Sequence, residues 1–371
     1  MFHAHHTEAI KEIRKWLNEI SYSTLNSRMM QFADQKGSLY PDFNLLMGMM
    51  DRINPLFAFI FSVFRLGQPT ERSHLDNYLS SAVIDALLET GLLEQNGKYY
   101  RMPHVCILPL GGMYFVTGLP NVYPTVTRNC HYKPIDHSVV MMMDEIVSQP
   151  VETDFLEYYA DYGILANVAA AKGFKNIQIL PKHADYIPFI KINLALNHHE
   201  GEVVTKNVTN VYDLIVCVHQ SVTKKNETRN HDISDEKDII QLFPIFHQLK
   251  ETGQAFCILE SIGTMHEIMA NERLKEVDGF FVQSIVLQKM PYQYFVSVNY
   301  VQTLWEKQFE LVSCEFEDYA RKTIESTDGK IFVFTQLLKI NKRKNDDTFV
   351  LYPFYNPKYT DPLYNFASLT V

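Results

Sequence analysis

Apolar residues recur at helical spacing near the start of the chain, with Ile10, Ile13, Trp16, Leu17 and Ile20 marking a helix over 7–34, and a second helix is expected over about 43–65. Pro69-Thr70-Glu71-Arg72 opens a further helix, Ser80 to Thr90 makes another, and Gly91-Leu92-Leu93 stops it. Gly97 then turns the chain into two strands, Tyr99 to Met102 and Val105 to Leu110. Two helices, a stop and a hairpin form the layout of a winged-helix-like module. The Pro- and Tyr-rich stretch 118–134 reads as a linker, and the helix around Ser138 to Ser148 carries Met141, Met142 and Met143, which suit core filling.

From about residue 152 strands and helices alternate. Phe155 to Tyr158 is a short strand, Ile164 to Ala171 a helix closed by Lys172-Gly173, Asn176 to Leu180 a strand, and Asp185 to Leu196 a helix ending near Asn197. Tyr212 to Val218 is an apolar strand, Asp235 to Glu251 a helix, Gln254 to Glu260 a strand followed by Ser261-Ile262-Gly263-Thr264, and Gly279 to Leu287 another strand. A helix near Phe316 to Ser326 precedes Lys330 to Ile340, the expected final strand, and 341–371 reads as a surface tail. Such alternation predicts a mostly parallel sheet covered by helices on both faces. The expected division is 1–117 as a helical and winged-helix-like domain, 118–134 as linker and 135–371 as the α/β domain with its tail.

Charge changes the picture by exclusion. Lys plus Arg number 34 against 43 Asp plus Glu, a net charge of -9, which argues against a protein that grips a nucleic-acid backbone. Lys98 and Arg101 are nearly alone on the expected wing. The longest apolar run, Leu56 to Phe64, is too short to cross a bilayer, and the start lacks the apolar core of a signal peptide. Cys106, Cys130, Cys217, Cys257 and Cys314 are odd in number and form no CxxC pair, so a reducing cytoplasm is expected, with neither a disulfide framework nor a zinc knuckle. His3, His5 and His6, or His198 with His199, are metal candidates by type, but adjacent histidines share a face poorly and no metal is expected. The apolar helices before residue 65 would suit a homodimer joined through a helical face.

In an open α/β sheet the ligand lies beyond the carboxyl ends of the strands, which directs attention to the loop Glu157-Tyr158-Tyr159-Ala160-Asp161-Tyr162-Gly163. The acid Glu157 at a strand end, Gly163-Ile164-Leu165-Ala166 opening a helix, Ala169-Ala170-Ala171-Lys172-Gly173, the helix end Ile192-Asn193-Leu194-Ala195-Leu196-Asn197 and the strand Tyr212-Asp213-Leu214-Ile215-Val216 carry a resemblance. With them, the chain resembles a class I S-adenosylmethionine-dependent methyltransferase of the small-domain type, with an N-terminal winged-helix-like domain. The resemblance implies a Rossmann-like methyltransferase sheet, mostly parallel with its last strand antiparallel, S-adenosylmethionine as cofactor, and a small-molecule substrate without nucleic acid or membrane.

The family's motif residues are degenerate here. Its first two loop glycines, which let backbone approach the cofactor, fall on Tyr159 and Asp161, and only Gly163 remains. The acid that binds the ribose hydroxyls falls on Pro181, with Lys182 and Asp185 nearby but out of register. The slot of the family's N-P-P-[YF] reads Val218-His219-Gln220-Ser221, so amide methylation by that route is not expected. By the same resemblance Glu157, Tyr159, Asp161, Gly163 and Pro181 line the cofactor position, and His219 with Gln220 stands where a substrate meets the methyl group, His219 as a general base or simply a surface histidine. Tyr158, Tyr159 and Tyr162 either line an aromatic pocket or fill space the cofactor once occupied, and Asp161 either holds a polar ligand group or caps a helix. Three readings stay open: methyl transfer, a non-catalytic binding or partner protein, and the same fold turned to other chemistry.

Overall fold

In a computed structural model, residues 2–32, 54–119, 132, 135, 137–151, 153–205, 210–219, 245, 247–264, 276–277, 280–291, 331–342 and 354–355 are described. The first helix, α1 (Thr7–Glu19), buries Ala9, Ile10, Ile13, Trp16 and Leu17 and turns Glu8, Lys11 and Lys15 outward. The single helix expected over 7–34 is instead two, because Ser21 takes a left-handed φ of 51° and α2 (Tyr22–Phe32) restarts beyond it. Of the helix expected over 43–65, α3 (Pro55–Ile60) is described; the Asn54 side chain accepts from Leu56 N at 3.0 Å, and a wider π-helical turn, Phe61–Arg65, follows.

Next come β1 (Thr70–Glu71), α4 (Arg72–Asp76) and α5 (Ser81–Glu89). The Ser80 hydroxyl accepts from Val83 N at 3.3 Å, an N-cap that explains where α5 begins. The strands β2 (Glu94–Asn96) and β3 (Tyr99–Arg101) pair around Gly97, and β1 completes a three-stranded sheet in the order β1-β3-β2. The expected pairing of 99–102 with 105–110 is therefore corrected. β4 (Val105–Leu110) pairs with β5 (Met113–Gly118), Ile107 opposite Val116, because Gly111-Gly112 turns the chain straight back.

The α/β part contains α6 (His137–Ser148), β6 (Asp154–Ala160), α7 (Ile164–Lys172), β7 (Asn176–Pro181), α8 (Ile187–Leu196) after a 3-10 turn at Ala184–Tyr186, β8 (Glu202–Val203) and β9 (Tyr212–His219). Then follow β10 (Leu249–Thr264), β11 (Glu276–Val277), β12 (Phe280–Pro291), β13 (Ile331–Lys342) and β14 (Phe354–Tyr355). β10 is longer than expected: it begins at Leu249, which the sequence pattern assigns to a helix, and it takes in Ser261 to Thr264. Phe256, Cys257 and Ile258 at its middle are buried, so its register is set by a core face. Residues 235–244, the helix expected at 316–326 and most of the tail lie outside the described residues, as does nearly all of the linker.

The hydrogen-bonded order of the large sheet is β11-β12-β13-β10-β9-β6-β7-β8, with β14 beside β12. β9 runs parallel to β10 and β7 to β8, whereas β13 is antiparallel to both β10 and β12. Internal packing separates the chain into two units, 1–151 with 157–207, and 152–156 with 208–371. In the second unit Lys250 Nζ lies 2.5 Å from Asp154 Oδ2 and 2.8 Å from Asp213 Oδ2, and Asp213 Oδ2 also accepts from Thr153 N and Asp154 N. Burial alone would raise the Asp213 carboxyl, but the hydrogen bonds from Lys250, Asp154 and Thr153 hold it below its ordinary value.

Candidate functional site

The candidate site begins at the carboxyl end of β6. Glu157 is buried at the middle of β6 rather than at its end, because the strand runs on to Ala160, and its Oε2 accepts from Ala166 N at 2.8 Å, inside the first turn of α7. Burial pushes its carboxyl up to about 8 and the charge of Asp161 adds to the shift, while the N–H groups of Ala166 and Leu165 oppose it. Near neutral pH the group is therefore held mostly protonated. Glu157 thus satisfies amide donors that a helix start leaves over. Gly163, which directly precedes α7, has no side chain to cap the helix, and Glu157 takes the amide of Ala166 from the strand.

Tyr159 has a φ of 59°, a left-handed conformation that glycine adopts freely and tyrosine does not. The backbone at this position thus takes a conformation suited to glycine although the residue is tyrosine. Tyr158 and Tyr159 are half-buried, with ring centroids 4.2 Å apart. Gly163 has a φ of 66°, and a Cβ there would lie 3.0 Å from Ile190 Cγ2, so close packing against α8 needs this glycine. Asn167 Nδ2 donates to Gly163 O at 2.7 Å, and Asn167 Oδ1 lies 3.0 Å from His199 Nδ1. Burial lowers the His199 imidazole, with Arg14 and His198 adding to the effect.

Pro181 ends β7, and the next amide, Lys182 N, donates to Ala160 O at 2.9 Å, which ties the ends of β6 and β7 together. Pro181 has no side-chain oxygen for a ribose hydroxyl, and Asp185, in the following turn, is exposed. His219 closes β9 in the second unit, and Gln220 lies outside the described residues. Glu157, Tyr159, Asp161, Gly163 and Pro181 thus belong to one unit.

Tyr162 settles one alternative for the aromatic loop. It is 2% exposed, its ring meets Tyr186 edge-on at 5.3 Å, and its Oη accepts from Gly118 N at 3.0 Å. It is a core residue. Sequence reasoning named Asn193 and Asn197 only as part of a helix end and missed their role; both are buried, Asn193 on α8 and Asn197 at its C-cap. Asn193 Oδ1 accepts from Val116 N at 2.7 Å and its Nδ2 donates to Val116 O at 3.1 Å and Tyr162 O at 3.0 Å. Asn197 repeats the pattern on Tyr114, accepting from its N at 2.9 Å and donating to its O at 2.8 Å. Arg14 Nη1 reaches Asn197 Oδ1 at 3.1 Å and also donates to Leu196 O. The available signal was two amides four residues apart in a helix too apolar to face water, since buried amides require partners.

Among the described residues no group of three or more His, Cys, Asp or Glu is arranged to hold a metal ion, and no helix is long and apolar enough to cross a membrane. Cys106, Cys217 and Cys257 are free and buried, and burial pushes the Cys106 thiol up.

The sequence matches no protein family and no curated protein. Among solved structures it is similar to an S-adenosylmethionine-dependent methyltransferase from Agrobacterium tumefaciens, at 15% identity and a TM-score of 0.38 over 68% of this chain and 76% of that one. It is also similar to a ribosomal protein L11 methylase from Lactobacillus delbrueckii subsp. bulgaricus, at 14% identity and a TM-score of 0.34 over 65% and 98% of the two chains. An O-methyltransferase from a polyketide synthase multienzyme of Brevibacillus brevis, in complex with S-adenosylhomocysteine, gives 13% identity and 0.34 over 54% and 72%. These overlays are loose, and the fold is decided by the sheet. Numbering β6, β7, β8, β9, β10, β12 and β13 from one to seven and leaving out the two-residue β11 and β14, the order is 3-2-1-4-5-7-6, with the seventh strand antiparallel to its neighbours five and six.

The chain has a Rossmann-like methyltransferase fold. A dinucleotide-binding sheet shares the order 3-2-1-4-5 but continues directly with strand six. Here β13 lies between β10 and β12 instead, antiparallel to both, with Val282 opposite Ile340 and Ile285 opposite Leu337.

Proposed function

We propose that the chain is an S-adenosylmethionine-dependent methyltransferase-like protein that acts on a small molecule and holds its nucleoside cofactor at the loop Glu157 to Gly163. The observation that carries this reading is the bond from Ala166 N to Glu157 Oε2 at 2.8 Å. In dinucleotide-binding folds the helix start after the first strand receives a pyrophosphate. Here the protein's own carboxyl takes those donors, which suits a cofactor that bears no phosphate.

The residues fit such a cofactor at one end only. The left-handed turn at Tyr159 and the latch of Glu157 fit the loop, whereas Pro181 offers nothing to the ribose hydroxyls. The mismatch at Pro181 favours a second reading, a non-catalytic protein of the same fold that binds a ligand or a partner. Bound in this loop, the cofactor would supply an electrophilic methyl group. The role proposed for His219 is that of a general base at the end of β9, with Gln220 beside it in sequence.

The choice of a small molecule over a nucleic acid is supported by the wing-like strands. Lys98 Nζ lies 2.7 Å from Glu71 Oε1 and Arg101 Nε 2.7 Å from Glu94 Oε1, so both cations are already paired.

Calorimetric titration with S-adenosylmethionine and S-adenosylhomocysteine tests the reading. Dissociation constants in the micromolar range are expected. No heat of binding up to about 1 mM, roughly -4 kcal/mol, would overturn the cofactor assignment and leave the second reading.

A further inference from the structure

The β4–β5 hairpin has an edge that no strand covers among the described residues, yet that edge is hydrogen-bonded. Tyr114, Val116 and Gly118 of β5 face Pro109, Ile107 and Val105 of β4, and Pro109 has no N–H to give. The N–H groups of these three residues point the other way, to Asn197 Oδ1, Asn193 Oδ1 and Tyr162 Oη, at 2.9, 2.7 and 3.0 Å. Two strand residues span about 6.8 Å and one helical turn of four residues about 6.0 Å, which lets an i, i+4 amide pair imitate a strand. Tyr162 continues this row, and it lies inside the candidate ligand loop between Asp161 and Gly163.

Tyr162 is therefore held from both of its ends. Gly118 N donates to its hydroxyl, Asn193 Nδ2 donates to its carbonyl at 3.0 Å, and its ring is enclosed by Tyr186 and Phe189, at 5.3 and 5.8 Å. Gly118 is buried at the end of β5, so its N–H would be left without water if the hydroxyl were removed.

We propose that Tyr162 is a positioning residue through which the edge of β5 sets the conformation of the loop Tyr158 to Gly163 for ligand binding. The inference rests on the reading of that loop as the ligand loop. It makes the β4–β5 hairpin a part of the site rather than a separate recognition element, because the loop's shape depends on an amide from β5.

The test compares Tyr162→Phe with Tyr114→Phe in the full chain. The Tyr114 hydroxyl donates to Leu17 O at 3.3 Å and Asn18 Oδ1 at 3.1 Å, so its variant removes a tyrosine hydroxyl from β5 without touching the loop. Tyr162→Phe is expected to weaken S-adenosylhomocysteine binding about three- to tenfold and to speed amide hydrogen exchange of residues 158–163 by a similar factor. Tyr114→Phe is expected to change neither by more than about twofold, while lowering the melting temperature comparably. Equal exchange in the loop for wild type and Tyr162→Phe would overturn the proposal, as would equal effects of the two variants. If the wild-type chain binds no S-adenosylhomocysteine, the cofactor assignment fails, and the exchange measurement still decides whether Tyr162 holds the loop.

Discussion

Asn193 on α8 and Asn197 at its C-cap stand one turn apart and grip Val116 and Tyr114, two residues apart on β5, each by a donated and an accepted hydrogen bond. The helix thereby closes the edge of a two-stranded sheet that would otherwise expose unpaired amides.

Asn193→Ala strands Val116 N, Val116 O and Tyr162 O, all in a site with Asn193 at 0% exposure. The expected cost is roughly 2–4 kcal/mol in urea denaturation. Asn193→Leu should recover little of it, because filling the volume does not restore the bonds. A loss under about 1 kcal/mol would show that water replaces the amide.

Gly163→Ala combines a left-handed φ with a close approach to Ile190 and should destabilise by roughly 2–3 kcal/mol. In a double-mutant cycle with Ile190→Ala, the pair should cost less than the sum of the single changes, since the overlap is relieved while the φ strain stays. Strict additivity would mean that the contact contributes nothing.

Tyr159→Gly is the converse case. Glycine removes the strain of a φ of 59°, so denaturation should find the variant within about 1 kcal/mol of wild type, on the stable side if the ring contributes little packing. Cofactor affinity, measured by calorimetry, should rise, because the side chain leaves the place where backbone approaches a ligand. A large loss of stability would instead show that the Tyr159 ring holds the loop.

Glu157→Gln removes a carboxyl whose folded value, about 8, stands well above an ordinary glutamate. The folded state then binds the extra proton between the two values, so this group's contribution to stability is full below the unfolded value and is lost as pH rises through about 8. Denaturation from pH 5 to 9 should show the wild type losing stability relative to Glu157→Gln, by on the order of a few kcal/mol at the alkaline end. Glutamine keeps an oxygen for Ala166 N. Parallel pH profiles would show that Glu157 is ionised in the fold.

Much of the architecture is local and could be read from the chain. The alternation of apolar strands with helices after residue 152 defines the large sheet, Ser80 starts α5, and Gly173 ends α7 with a φ of 114°, because caps and periodicity act within a few residues. Glu157 and Gly163 were singled out by the family resemblance rather than by periodicity. The pairing of β4 with β5 was missed because Gly97 and the Gly111-Gly112 turn compete locally, and only the completed sheets show which strands each turn joins.

What the tertiary structure alone decided lies between residues far apart in sequence. Asn193 meets Val116 across 77 residues and Asn197 meets Tyr114 across 83, so no window of local sequence contains the reason for either asparagine. By position Tyr162 either lines a pocket or fills space, and burial against α8 and the amide of Gly118 make it part of the core. Side-chain pattern determines which elements form; the demand that each buried polar group find a partner determines how distant ones dock, and that demand is met only once the chain has folded.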